Sequence, residues 1–334
     1  MTRDLPMLSR RLWLSALGGA ATWTLAGMGA RPGLAQGPAA AKLKRIKMAT
    51  VGVPDVTAAA AWYSTWLSYV PQGMGKIGKD LAASWGTPAM AGRRQILLQP
   101  ESGADVFVRL VEIDPVPDYQ PLRGYGWNAI ELVVENADAL QRRLEGTSVQ
   151  IIGKADALAA GSPIKAMQVL GPGGEVIYLT SHSGDRAKSN HPVPRSAIDR
   201  PFIMVVAGPD VGALKSFYRD TFSLGDQGDL KFTVGVLSDA LGLPATHIFD
   251  LSVLVLAEQG NKLELDGLPP PAGPRPRNAG QLPPGVAMTT FSVSSLSSID
   301  APFIAPPRAL YAGVRAATLV GPAGELIELI EDRK

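Results

Sequence analysis

Short apolar runs alternate with amphipathic segments along this chain, and the order repeats. Period-two alternation and β-branched residues predict strands, and wider apolar spacing predicts helices. Predicted strands lie at 46–53, 95–99, 105–113, 128–134, 150–152, 166–170, 176–180, 202–207, 231–237, 250–257, 262–265, 287–293, 315–320 and 325–330. Predicted helices lie at 55–66, 137–144 and 211–221, and the helix expected after 293 is shortened. The pattern therefore predicts an α+β protein built from four βαβββ modules.

Two motifs occur twice in the same order. A Gly/Pro turn feeds a strand at 171–179 (GPGGEVIYL) and at 321–329 (GPAGELIEL), 150 positions later. A Pro-Asp-Val segment precedes an aromatic-Tyr pair at 54–63 and again, 155 positions later, at 209–218. Similar offsets for two ordered features indicate two homologous halves. We expect a first domain at 44–184, a linker at 185–198 and a second domain at 199–334, each a pair of modules.

The composition excludes several classes of site. The net charge is +2, and Lys/Arg residues do not cluster with aromatic residues, which argues against a nucleic-acid partner. The chain has no cysteine and three histidines, so thiol chemistry is excluded and a metal would need histidine or carboxylate ligands. No dinucleotide fingerprint, phosphate loop or serine elbow occurs. The Pro-rich segment 268–284 is predicted to be an irregular insertion, with a lid or docking strap as alternatives.

The N-terminus has the features of an export signal. Arg10 and Arg11 precede a short, Gly-rich apolar run, and small residues at Gly33 and Ala35 fit a cleavage site before Gln36. The arginine pair is typical of a twin-arginine signal. We expect a signal peptide at 1–35, a lead-in at 36–43, passage through the twin-arginine machinery, a periplasmic location and no membrane span after cleavage. A general secretory signal or an uncleaved anchor is the alternative.

The repeated pattern resembles the vicinal oxygen chelate superfamily, which includes glyoxalases, bleomycin-resistance proteins and extradiol dioxygenases. The segment FYRDTFSLG at 217–225 and the terminal GPxGE strands carry the resemblance, which covers nearly all of the chain after the signal. It implies tandem domains in which paired βαβββ modules curl into half-open barrels around a ligand. A fold of this kind hosts many chemistries, so the resemblance does not select a reaction.

Members of that superfamily typically place metal ligands on the first and last strands of a module. The corresponding first-strand positions here are Met48, Ala129, Ile203 and Met288, none of which binds a hard cation. On the last strands, Tyr178 is also unsuitable, whereas Glu264 and Glu328 are carboxylates. We predict no cofactor. The alternative is a divalent metal held by Glu264 and Glu328, which His247 could join. His182 follows the last strand of the first half and could reach the rim of the cavity, and we count both histidines as candidate ligand-binding residues.

A second cluster of candidates lies in the first half. Tyr125, Trp127 and Asn128 precede or begin a strand expected to line the barrel, and alternation can turn Phe107 and Arg109 inward with Tyr178. An aromatic cavity with a guanidinium, a phenol and an amide suits a planar ligand that bears an anionic group. Packing in an ordinary core is the alternative.

These residues support three hypotheses about function. The first is an exported enzyme that acts on a small, apolar, aromatic metabolite by lyase- or isomerase-like chemistry with Tyr178, Arg109, Glu264 and Glu328. The second is a non-catalytic protein that sequesters a small molecule, and the third is a metal-dependent dioxygenase or glyoxalase. The residues do not decide whether modules pair within one chain or in a homodimer.

Overall fold

The computed structural model describes residues 40–159, 161–185 and 189–332. The predicted signal at 1–35 and residues 36–39 of the lead-in lie outside this part of the chain. In the described ranges, no helix is both long enough and apolar enough to cross a membrane.

The chain forms four successive modules. Module 1 comprises β1 (Leu43–Val53), α1 (Val56–Leu67), β2 (Tyr69–Lys76), α2 (Lys79–Ser84), β3 (Arg94–Pro100) and β4 (Phe107–Glu112). Module 2 comprises β5 (Gly126–Val134), α3 (Ala137–Leu144), β6 (Gln150–Ala157), β7 (Ile164–Leu170) and β8 (Val176–His182). Module 3 comprises β9 (Ile198–Gly208), α4 (Val211–Phe222), β10 (Gly225–Phe232), α5 (Gly235–Leu241), β11 (Phe249–Val255) and β12 (Lys262–Gly267). Module 4 comprises β13 (Gly285–Val293), β14 (Arg308–Tyr311), β15 (Val314–Val320) and β16 (Leu326–Glu331).

The modules associate into two eight-stranded sheets, and each sheet takes one module from each half of the sequence. The first sheet joins modules 1 and 4 in the order β14-β15-β16-β13-β1-β4-β3-β2. The second sheet joins modules 2 and 3 in the order β10-β11-β12-β9-β5-β8-β7-β6. The central contacts are antiparallel, with Met48 opposite Thr290 in the first sheet and Glu131 opposite Ile203 in the second. The predicted α+β class with paired βαβββ modules is confirmed, and the sheets cross the boundary between the halves.

The two repeated sequence motifs bind each other. Tyr63 on α1 donates a 2.7 Å hydrogen bond to Glu175, which follows the first Gly/Pro turn. Tyr218 on α4 donates a 2.9 Å hydrogen bond to Glu325, which follows the second. All four side chains are buried. Because α1 and Glu175 belong to modules in different sheets, this pair joins the two sheets within each half.

Local sequence explains the main helices. Asp55 caps α1 by accepting hydrogen bonds from the backbone N–H groups of Thr57 and Ala58, as predicted. Asp210 caps α4 through the N–H of Ala213. The expected helix after Val293 is reduced to a 3₁₀ turn at Leu296–Ser298, which confirms the predicted shortening.

The predicted strand at 231–237 was wrong in its second part. β10 ends at Phe232, and 235–241 is the helix α5. A short apolar run fits either element, and tertiary packing decides here, because α5 buries Val236 and Leu237 against the second sheet. In module 1, the helix α2 is equivalent to α5. Neither α2 nor the exposed strand β2 was predicted. α2 buries Leu81 and Ala82 against the first sheet.

Candidate functional site

Four pairs of adjacent residues occupy equivalent places at the centres of the two sheets. In each module, a residue on the first strand lies opposite a residue on the last strand. These parallel pairs are Thr50 with Arg109, Glu131 with Tyr178, Val205 with Glu264, and Thr290 with Glu328. The repeat of the halves relates Arg109 to Glu264 and Tyr178 to Glu328, so the two sheets present different chemistry at matching positions.

In the first sheet, Arg109 is held from three sides. Its Nη2 forms an ion pair with Glu328 Oε2 at 3.0 Å, its Nε donates to Thr50 at 3.0 Å and its Nη1 donates to the Tyr311 hydroxyl at 2.6 Å. Its guanidinium carbon lies 4.6 Å from the ring centre of Trp85. The side chain is 3% exposed. Arg109 is therefore fully engaged within the protein.

Both carboxylate oxygens of Glu328 also have hydrogen-bond partners within the protein. Oε1 accepts hydrogen bonds from Trp85 Nε1 at 2.7 Å and from the Tyr311 hydroxyl at 2.6 Å. Oε2 accepts from Thr290 at 2.6 Å in addition to Arg109. Burial raises the pKa of Tyr311 well above its usual value, and the nearby Glu328 carboxylate acts in the same direction. The pair Arg109–Glu328 thus forms a closed buried network in which each donor already has a protein acceptor.

The matching positions in the second sheet line an open cavity instead. The cavity has a volume of about 70 Å³ and contains Tyr178 and Glu264 in its wall. Here the arginine position is occupied by Glu264 and the glutamate position by Tyr178, so these two positions do not carry the Arg–Glu pair of the first sheet.

A row of side chains crosses the second sheet along the wall of this cavity. Strand register places Tyr178 beside Glu131, Glu131 beside Ile203, and Ile203 beside Lys262. Residues directly opposite each other in a sheet point to the same face. All four line the cavity. The row therefore brings a phenol, a carboxylate and an amine to one surface, with Glu264 two residues beyond Lys262.

The electrostatics of the cavity centre on Lys262. Burial lowers its pKa, and the carboxylates of Glu131 and Glu264 act in the opposite direction. The amine therefore has two acidic neighbours in a largely apolar environment. Opposed influences of this kind are typical of side chains that exchange protons at functional sites.

Apolar residues form most of the remaining wall of the cavity. They are Leu158, Ile164, Ala166, Phe202, Phe232, Val234 and Leu251. Thr180 also lines the cavity, and its buried hydroxyl has no hydrogen-bond partner within the described ranges. A buried hydroxyl without a partner costs free energy, so Thr180 marks a place where a ligand atom would be stabilised.

The segment that connects the halves contributes a histidine. His191 lies in the cavity wall, stacks on His182 with ring centres 5.6 Å apart and contacts the edge of Phe202. His182 Nδ1 accepts a hydrogen bond from the N–H of Gly184. The predicted candidate His182 therefore stacks on a residue of the cavity wall, His191, and is not itself part of that wall. On sequence grounds, His191 was assigned to the linker.

The other predicted ligand residues lie elsewhere. Trp127 is core and donates to the carbonyl of Leu326 at 2.7 Å. Asn128 sits at a β-bulge with a buried, unpartnered amide nitrogen in the described structure. Phe107 is partly exposed beside Lys47, and His247 borders a surface groove against Phe249. Tyr125 lines a separate cavity.

Sequence reasoning missed Glu131, Lys262 and His191 as members of one site. Glu131 had a readable signal, because it interrupts the apolar strand 129–134. A charge in a strand buried on both faces requires a partner or a function. Lys262 and His191 had no such signal, because their approach to the cavity depends on how modules 2 and 3 pair.

The residues do not assemble a metal centre of the kind considered from the sequence. Glu264 and Glu328 lie in different sheets. Within the described ranges, no group of three or more His, Asp or Glu side chains is arranged to hold a metal ion. In the cavity itself, the ammonium of Lys262 supplies positive charge beside Glu131 and Glu264. The donor set therefore does not fit a divalent cation.

Comparison with solved structures agrees with this architecture. The chain is similar to glyoxalase I from Zea mays, with a TM-score of 0.57 and 14% identity over 86% of this chain and 92% of that one. It is also similar to a Bacillus subtilis protein provisionally described as a dioxygenase, with a TM-score of 0.59 and 14% identity over 88% and 87% of the two chains. No protein-family profile and no curated protein matches the sequence. The chain thus shares its fold with these two proteins, and identity at this level carries no further than the fold.

Proposed function

We propose that the protein is an enzyme that carries out lyase- or isomerase-like acid–base chemistry on a small, largely apolar molecule bound in the cavity of the second sheet. One observation carries this proposal. The positions that form a closed ion pair in the first sheet are occupied by Tyr178 and Glu264 in the second, where they face a cavity together with Glu131 and Lys262.

The residues that line the cavity include both a group suited to accept a proton and groups suited to donate one. A carboxylate of Glu131 or Glu264 is suited to remove a proton from bound substrate. The hydroxyl of Tyr178 and the amine of Lys262 are suited to donate a hydrogen bond or a proton to an oxygen that gains negative charge. The apolar wall excludes water and strengthens each of these interactions. The chemistry needs no metal ligand.

The residues of the cavity wall also indicate the class of substrate that we propose. Phe202 and Phe232 offer aromatic contact, and the orphan hydroxyl of Thr180 offers one hydrogen bond. Arg109, which was expected to recognise an anionic group, lies in the other sheet. Because the cavity of about 70 Å³ is smaller than the roughly 150 Å³ that holds benzene, we propose a small aliphatic carbonyl or hydroxyl compound without a requirement for a carboxylate.

Sequestration without turnover is the alternative function, and the predominance of apolar residues in the cavity wall favours it. The two functions place different demands on the same wall. A binding protein needs shape and a few hydrogen bonds. An enzyme also needs the carboxylates to move protons once the molecule is bound.

We further propose that the protein is exported through the twin-arginine machinery and cleaved near Ala35. The support is the arginine pair at Arg10 and Arg11 and the short apolar run after it. Replacing Arg10 and Arg11 by lysines should retain the protein in the cytoplasm if this route is used. Unchanged export would point to a general secretory signal.

Proton exchange in heavy water tests the enzymatic proposal without a known substrate. A panel of small ketones, aldehydes and phenols is incubated with the protein, and proton NMR records deuterium uptake or elimination. The matched variants are Glu264→Gln in the cavity and His247→Gln in the surface groove. Turnover that is lost in Glu264→Gln and kept in His247→Gln supports the proposal. Binding without exchange across the panel favours sequestration, and full turnover by Glu264→Gln contradicts the assigned role.

A further inference from the structure

The two Gly/Pro turns have different surroundings although their sequences are nearly the same. At the first turn, a Cβ added to Gly174 would lie 2.8 Å from the ring of Tyr119. The Tyr119 hydroxyl donates a hydrogen bond to the carbonyl of Gly174 at 3.2 Å. At the second turn, a Cβ added to Gly324 would meet no atom within 4 Å apart from its two neighbours in the chain. An aromatic ring of the chain therefore covers one turn and leaves the other uncovered.

The first residues of the two strands next to the turns differ in the same way, because Tyr119 packs against only one of them. Gly285 begins β13, and its added Cβ would lie 2.3 Å from the Tyr119 hydroxyl. Gly126 begins the equivalent strand β5, and apart from its two neighbours in the chain the atoms nearest to its added Cβ belong to Glu325, at 3.6 Å or more. Tyr119 thus packs between a turn and a strand start in one copy. At the equivalent place in the other copy, the side chain nearest to Gly126 outside its chain neighbours is that of Glu325.

That place is a cavity of about 200 Å³. Its wall includes Tyr125, Gly126 and Gly324, and the Pro-rich segment 268–284 contributes Arg275 and Arg277. An apolar protein cavity of about 150 Å³ is large enough to bind benzene. The space is therefore sufficient for one aromatic ring with a small substituent, which is what Tyr119 supplies at the other turn.

Arg275 gives this cavity a positive charge. Its Nη1 donates to the carbonyl of Val286 at 2.6 Å, and its Nη2 donates to the carbonyl of Trp127. These bonds attach the Pro-rich segment to both sheets. Its Nε is buried and has no hydrogen-bond partner in the described part of the chain. Burial lowers its pKa, and the nearby Tyr119 acts in the opposite direction.

No carboxylate neutralises the two arginines. Within the described ranges, neither Arg275 nor the exposed Arg277 forms an ion pair. Glu325 also lines the cavity, but its oxygens already accept hydrogen bonds from Tyr218 and from the N–H of Ala323. Burial raises the pKa of Glu325 to about 7, which favours its neutral form in mildly acidic solution. The partly buried Arg275 guanidinium without a counter-charge is costly, and a bound anion would reduce that cost.

We propose that the cavity between the Pro-rich segment and the second Gly/Pro turn is a second binding site, for a small planar aromatic molecule that carries an anionic group. The ring takes the place that Tyr119 occupies at the first turn, and the anionic group meets Arg275 and Arg277. This site is separate from the cavity of the second sheet. It goes beyond the proposed catalytic function, because its occupant would bridge module 4 to module 2.

Calorimetric titration with benzoate at pH 6 tests the site. Three further probes are compared with benzoate. Acetate lacks the ring, inorganic phosphate lacks both the ring and the carboxylate geometry, and benzyl alcohol lacks the charge. The proposal predicts one bound benzoate per chain and at least tenfold weaker binding of the other three. Arg277→Gln should weaken benzoate binding about tenfold or more, since Arg277 is exposed and its loss should not perturb folding, whereas Arg277→Lys should recover part of the affinity.

Tyr178→Phe is the matched control because it changes only the cavity of the second sheet. Benzoate binding that is weakened by Tyr178→Phe and not by Arg277→Gln would place the ligand in the second sheet and overturn the proposal. Equal affinity for phosphate and benzoate would overturn the aromatic requirement. Absence of benzoate binding would overturn the site as a whole while leaving the proton-exchange test of the proposed function untouched.

Discussion

Arg109 and Glu328 lie 219 positions apart in the chain and form a 3.0 Å ion pair at the centre of the first sheet. Both side chains are almost completely buried. Their repeat-related positions, Glu264 and Tyr178, face a cavity in the second sheet. The central positions of one sheet thus form a buried ion pair, and the equivalent residues of the other sheet line a cavity.

Glu328→Gln should destabilise the fold rather than abolish ligand binding. Removing one partner of a buried ion pair leaves an uncompensated charge, which costs about 3–5 kcal/mol. Chemical denaturation should show this loss in the free energy of unfolding. Affinity at the cavity of the second sheet, measured at a temperature where the variant is folded, should stay unchanged. A variant of normal stability would show that the network contributes little.

Tyr178→Phe should lower catalytic activity and leave the stability of the fold nearly unchanged. The change removes one hydroxyl from the cavity wall, and loss of a general acid lowers kcat by about 10²–10⁴-fold. Tyr178 is partly exposed, so stability should change by less than about 1 kcal/mol. Steady-state kinetics with the substrate found by proton exchange, together with thermal unfolding, measures both effects. Equal kcat in the variant and the parent would remove Tyr178 from the mechanism.

Tyr63→Phe and Tyr218→Phe should each destabilise the protein by a similar amount. Each substitution removes the hydroxyl that donates to a buried glutamate, Glu175 or Glu325. Leaving a buried acceptor without its donor costs about 1–3 kcal/mol. Urea denaturation of the single variants gives the two values. A much smaller effect for one tyrosine would mean that its half does not rely on this contact between the sheets.

Stability should fall as the pH rises from about 4.5 to 7. Burial raises the pKa of Glu175 and that of Glu325 from 4.5 to about 7. The folded state then binds more protons than the unfolded state in this window, so the free energy of unfolding decreases with pH. The expected loss is about 3 kcal/mol per carboxyl by pH 7. Denaturation across the window measures the slope, which Glu175→Gln should reduce.

Gly173→Ala should be more damaging than the reverse change in the second turn, Ala323→Gly. A Cβ at Gly173 would lie 2.5 Å from the carbonyl oxygen of Gly52 and 2.9 Å from the side chain of Val53. Ala323 instead packs near Gly208, which leaves room for its methyl group. Overpacking of this kind costs about 1–3 kcal/mol. Thermal unfolding of the two variants compares them directly, and equal effects would contradict the steric argument.

The candidate site could be anticipated only in part. Tyr178 and Glu264 were identified from the sequence, and they do line one cavity. Arg109 and Glu328 were assigned to the same kind of role, yet they lie together in the other sheet. Glu131 could have been found, because a charge inside an apolar strand is a visible anomaly. His191 could not, because nothing local distinguishes it from other polar residues of a connecting segment.

The sequence by itself determined the α+β class, the four modules, the capped helices and the repeated turns. These features depend on local physics, since alternation, capping and turn chemistry act over a few residues. Only the tertiary structure decided that module 1 pairs with module 4 and module 2 with module 3. Strand pairing between distant segments depends on the fit of whole faces, and neither sequence period nor spacing records it. That pairing sets which side chains meet, and so it separates the closed ion pair of Arg109 from the cavity of Tyr178.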